Sequence, residues 1–132
     1  MRQLRFVKFW LGIGWLFVGL VIIFSLIPSP PLWELKGSDK LFHLITYLLL
    51  MFWFGLIYLP GIQYRNLGIM FIVMGIILEV IQGLLGYRSM EYFDMIVNGF
   101  GVVIGWLLAR TPISSFLLYL ESRLDINTKG IS

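Results

Sequence analysis

Four long apolar stretches, residues 9–27, 41–59, 67–86 and 92–109, constrain this 132-residue chain more than any other feature. A hydrocarbon core about 30 Å thick takes about 20 apolar residues of helix, and each stretch is close to that length. The first carries no ionisable side chain, and the others carry one each: His43, Glu79 and Asp94. Turn-forming breaks separate them: Pro28-Ser29-Pro30-Pro31, then Pro60-Gly61, then the segment from Gly86 to Glu91. Backbone groups find no water inside a bilayer, so the stretches must be helices; the alternation of a barrel strand is absent. The expected fold is therefore all-α: a polytopic four-transmembrane-helix bundle in one domain, residues 1–132.

Composition excludes the alternatives. Hydrophobic residues make up 59% and charged residues 13%, against about 45–50% and about 25% in ordinary soluble domains. Aromatics at 17% and the absence of a Gly-X-Y period or of any cysteine exclude disorder, collagen and a disulfide-stapled scaffold. Without cysteine there is no thiolate chemistry, and one histidine cannot build a His-rich zinc site, so neither metal nor cofactor is expected. The net charge of +3 comes from basic residues concentrated at the two ends, an orientation signal rather than a nucleic-acid patch.

Arg2, Arg5, Lys8, Arg65, Arg110, Arg123 and Lys129 fall on one side of the four spans, and Lys36, Lys40 and Arg88 on the other. The positive-inside rule then predicts both termini in the cytoplasm, with the proline-rich loop and the Arg88 loop outside. The first stretch exceeds a signal-peptide core and lacks an A-x-A-like site after it, so it is read as a membrane anchor. The cytoplasmic tail, 110–132, is expected to hold a short interfacial amphipathic helix over 113–123, followed by nine frayed residues.

Polar groups inside a span cost about 2–3 kcal/mol or more and usually face a bundle interior. Here they fall into stripes: Asp39, His43 and Tyr47 at i, i+4, i+8; Glu79 and Gln82 at i, i+3; Asp94 and Asn98 at i, i+4, continued by Gly101 and Gly105. With a rise of about 1.5 Å per residue, His43, Gln82 and Asp94 lie about 3–6 Å below the outer end and Tyr47, Glu79 and Asn98 about 9–10 Å below it. The inner half carries no ionisable group. The short third connection makes the last two spans antiparallel neighbours, so that Glu79 approaches Asn98. Gly101 and Gly105 form a GxxxG step that admits a neighbouring helix, and Arg88 sits above as a fork for a carboxylate or phosphate. Together these features predict an outward-facing polar pocket on a sealed base.

Each residue also has a structural role open to it. His43 is a general base or an interhelical hydrogen-bonding group oriented by Asp39 or Asp94. Glu79 is an acid or base, or a buried neutral acid against Gln82 and Asn98. Lys40 and Arg88 read a phosphate or snorkel at the interface. Trp10, Trp15, Trp33, Trp53 and Trp106 read as belt and packing residues. Isolated interhelical hydrogen bonds in membranes average only about 0.6 kcal/mol, so stability alone rarely requires so many polar groups at one level.

The series Asp39-Lys40-x-x-His43-x-x-x-Tyr47, Glu79-x-x-Gln82, Arg88-Ser89, Asp94-x-x-x-Asn98-x-x-Gly101 resembles the VanZ-like family of small integral membrane proteins, over about half of the chain. That resemblance implies a multi-helix protein of the bacterial inner membrane and makes Asp39, Lys40, His43, Tyr47, Glu79, Gln82, Arg88, Ser89, Asp94 and Asn98 its signature positions. One member of the family is associated with resistance to teicoplanin; for this chain that is an extrapolation, and a housekeeping role in the envelope stands beside it. The expected function is binding of a lipid or amphiphile headgroup, with membrane lipids or a lipid-linked envelope precursor as partner, no nucleic acid, and a homo-oligomer left open. The alternative is an intramembrane enzyme acting on a lipid headgroup, with His43 and Glu79 as acid and base and Arg88 stabilising an oxyanion. No nucleophile elbow or zinc-protease motif accompanies them, and Ser89 has no visible base.

Overall fold

The computed structural model describes residues 1–28, 38–86 and 91–129. It is all-helical among those residues: α1 (Val7–Leu26), α2 (Ser38–Ile57), α3 (Ile62–Leu84), α4 (Tyr92–Leu108), a 3₁₀ turn (Pro112–Ser115) and α5 (Phe116–Lys129). α1, α2 and α3 are each long and apolar enough to cross a bilayer; α4, at 17 residues, is slightly shorter, and the segment after it, Pro112–Leu124, bends away by 73°. The surface says the same. Leu16, Phe24 and Leu84 are 63%, 70% and 81% exposed amid many other large apolar side chains, a surface suited to lipid rather than water. The chain is a multi-pass helical membrane bundle.

Local chemistry sets the helix ends. α1 stops at Leu26, two residues before Pro28, whose ring excludes the helical conformation from the residue ahead of it. α3 closes with Gly86 at φ 74°, the left-handed position that ends many helices. It begins earlier than the expected residue 67, because Tyr64 is buried and donates its hydroxyl to Met51 O at 3.0 Å, which fixes the first turn to α2. Arg65, expected in a loop, therefore lies within that first turn, its backbone N–H donating to Gly61 O.

α2 is the central helix. Leu50, Met51, Phe54 and Ile57 are fully buried along it, and it packs on α1, α3, α4 and the C-terminal elements. Its most extensive partner is α4, which runs parallel to it. A side chain at Gly101 would stand 2.5 Å from Leu44 O, and one at Gly105 would meet Leu48 O, so the GxxxG step lies backbone-to-backbone on α2. The short connection had pointed to α3 and α4 as antiparallel neighbours, leaving open which helix the glycine step meets. α3 does contact α4, but the glycine face turns to α2.

The tail departs from expectation. The helix runs on to Lys129 instead of fraying after Arg123, and it packs against the end of the bundle, with Leu117 1% exposed beside Leu4, Leu56 and Ile57. Glu121 accepts hydrogen bonds from the backbone N–H of Arg5 (2.7 Å) and Phe6 (3.0 Å) and from the indole of Trp10 (2.8 Å). α1 has no side-chain cap from its own N-terminal residues, and a carboxylate from α5 accepts from the N-cap Phe6 and the residue before it, close to the positive dipole end. Arg2 joins the same end, donating to Ser114 Oγ at 2.6 Å and, through its backbone, to Ile57 O at 2.8 Å.

Burial acts to raise the Glu121 carboxyl, but the Phe6 N–H, the Trp10 indole, the Arg5 N–H and the Arg5 charge outweigh it and hold the group below the ordinary carboxylate value. A depressed folded-state value means that the clamp stabilises fully above the unfolded value, about 4.3, and that its contribution fades as pH falls through the lower, folded value. Glu121→Gln is expected to cost about 1–2 kcal/mol at pH 7, allowing for partial solvent exposure. In detergent melts between pH 7 and 3 the gap between wild type and variant should close on the acid side. A gap that stays constant to pH 3 would contradict the clamp.

Candidate functional site

The predicted polar residues do converge, at the end of the bundle where α2 and α4 begin and α3 ends. Asp39 and Asp94 lie in the first turns of their helices, where the positive dipole end favours carboxylates. The rim is open: the side chains of Asp39, Lys40 and His43 are 53%, 39% and 14% exposed. Beneath it, Glu79, Gln82 and Asp94 are 1% exposed and Asn98 and Tyr47 2%.

Lys40 bridges the rim and the buried layer. Its Nζ lies 2.6 Å from Glu91 Oε2 and 3.5 Å from Asp94 Oδ1, with the Phe93 ring 5.4 Å away. His43 Nδ1 lies 3.1 Å from Asn98 Oδ1, and its Nε2 lies 3.8 Å from Asp39 Oδ1. Asn98 and the Tyr47 hydroxyl both press on Gly75 of α3, where an added Cβ would stand 3.2 Å from each. The small residue lets three helices meet at this point.

Two expected pairings differ. Glu79 does not bond Asn98; its Oε1 accepts the Glu91 backbone N–H at 2.8 Å, which ties α3 to the N-cap of α4. Gln82 turns away to donate to Ser25 O of α1 at 2.5 Å, and so it anchors α1 rather than flanking Glu79. Arg88 and Ser89 fall outside the described residues, as do the proline-rich loop, Lys36 and Trp33. Glu91, legible in the sequence as a carboxylate within reach of Arg88, links Lys40 through its side chain and Glu79 through its backbone. Its position just before a helix start was the available signal.

An apolar groove of about 400 Å³ runs from Lys40 along the lipid-facing seam of α2 and α4, lined by Leu41, Leu44, Val97, Phe100 and Ile104. The ammonium therefore sits where a charged cluster meets a hydrocarbon slot. No family model matches the chain, and no curated protein or solved structure shows significant similarity to it.

Proposed function

We propose that this is a VanZ-like protein of the bacterial cell envelope, embedded in the inner membrane with both termini cytoplasmic, that binds a lipid or lipid-linked precursor by its headgroup at the outward end of the bundle. The observation that carries the reading is the continuity of the groove with Lys40. An acyl chain lying along Leu44 and Phe100 would deliver its headgroup to Lys40, Asp39 and His43. Lys40 Nζ is paired with Glu91 at 2.6 Å and lies 3.5 Å from Asp94, so it offers a headgroup oxygen its remaining ammonium donor, with rim hydrogen-bonding groups beside it.

The exposure pattern favours binding over catalysis. At 1% exposure, and with one oxygen held by a backbone N–H, Glu79 is out of a headgroup's reach, whereas an acid or base must touch the atom it serves. Glycopeptide resistance would be one physiological consequence of holding an envelope precursor or an acylated antibiotic at this surface.

Mass spectrometry of lipids retained after gentle detergent extraction tests the reading. Lys40→Ala should lower retention of anionic lipid about tenfold, the equivalent of one lost charge-assisted hydrogen bond. Leu44→Trp, which fills the groove, should lower it without changing any charge. If both variants fold and retain the wild-type lipid complement, the proposal fails.

A further inference from the structure

The two ring nitrogens of His43 face different chemistry. Nδ1 lies 3.1 Å from Asn98 Oδ1, and this contact orients the ring. Nε2 is then turned toward Asp39, whose Oδ1 is 3.8 Å away. One ligand atom from each of Asp39, His43 and Asp94 falls within 4.8 Å of the others. A histidine whose second ring N–H is held by a carbonyl-type oxygen is the arrangement that orients metal-binding imidazoles.

A second observation comes from the layer beneath. Glu79 Oε2 is buried with no hydrogen-bond partner, and the Glu79 carboxylate is within electrostatic range of both Asp94 and His43. Among the described residues this end of the bundle gathers four carboxylates, Asp39, Glu79, Glu91 and Asp94, against the Lys40 ammonium and the His43 imidazole. Carboxylates withdrawn from water need either a proton or a further cation.

We propose that Asp39, His43 and Asp94 form a binding site for a divalent metal ion of the Zn²⁺ class, with Asn98 as the residue that orients the imidazole. One nitrogen and two carboxylate oxygens suit Zn²⁺. Bond lengths of about 2.0–2.2 Å put the ligand atoms of a tetrahedral site about 3.4 Å apart. Binding therefore requires these atoms to draw together, and Asp39 is the most exposed of the three ligands. Three protein ligands would leave a fourth position for water or an anionic ligand atom. Lys40 Nζ, 3.5 Å from Asp94 Oδ1, competes with the ion for the same carboxylate.

The site does not depend on the lipid reading, and its test uses no lipid. Full-length protein in detergent, stripped with a chelator, is titrated with Zn²⁺ by calorimetry, and Co²⁺ absorption reports inner-sphere ligation. The expected result is one ion per chain with Kd of about 1 μM or tighter, weakened at least tenfold by Asp39→Asn and abolished by His43→Gln. Lys40→Met should tighten binding about tenfold, because it removes a cation a few ångströms from the ion. Failure to bind below about 100 μM, where binding would be worth little more than 5 kcal/mol, overturns the proposal. Binding that Asp39→Asn leaves unchanged does so too. Asp39 is half-exposed and contributes little to packing, so its variant carries the test even if His43→Gln does not fold.

Discussion

Gly105→Ala is expected to destabilise the bundle by about 3 kcal/mol, the upper end of what one extra methyl costs in a packed interior. The built Cβ collides with Leu48 O and stands 3.0 Å from Met51 Cβ and 3.1 Å from Phe52 N. Two of those three atoms are backbone, so relief requires α4 to move off α2 along the whole seam. Gly101→Ala should behave similarly, because its Cβ would stand 2.5 Å from Leu44 O and 3.0 Å from Tyr47 Cβ. Gly99 gives the matched control: it lies on the same helix with nothing within 4 Å of an added Cβ, and Gly99→Ala should be neutral or gain up to about 1 kcal/mol of helix propensity. Thermal unfolding of the three variants in one detergent decides the matter; equal melting temperatures for Gly99→Ala and Gly105→Ala would contradict the packing.

Asn98→Leu should cost about 1–2 kcal/mol, because it removes the part-buried hydrogen bond between Asn98 Oδ1 and His43 Nδ1 that joins α4 to α2. The double variant His43→Leu with Asn98→Leu removes both partners and should recover about 1 kcal/mol or more relative to the sum of the single changes. A double-mutant cycle with no coupling would mean that the imidazole–amide contact does not hold α2 to α4. The single change should also reduce retained lipid, since it frees the ring that shapes the rim.

The helical bundle was readable from the sequence because in a bilayer apolar length and backbone satisfaction act on each segment separately. The gathering of His43, Tyr47, Glu79, Asp94 and Asn98 at one end was readable for a related reason: desolvation forces each stripe inward, and helix rise fixes its depth. Which residue bonds which was not. Glu79 goes to the Glu91 backbone and Gln82 to Ser25 O, because those choices depend on the rotation of α3 between α1 and α4, which periodicity does not encode. The Glu121 clamp was equally hidden, since its partners lie 115 and 116 residues away in sequence and a lone glutamate in a polar tail carries no pattern. The candidate metal cluster escaped because counting histidines gave one, and the two aspartates that join it come from different helices.

That clamp also dictates an order of events during biosynthesis. The start of α1 is held by a carboxylate translated more than a hundred residues later, so that contact waits until α5 has emerged. Whatever holds the chain's tail away from the bundle, such as a bulky fusion or a ribosome still attached, will register as loosening at the opposite terminus.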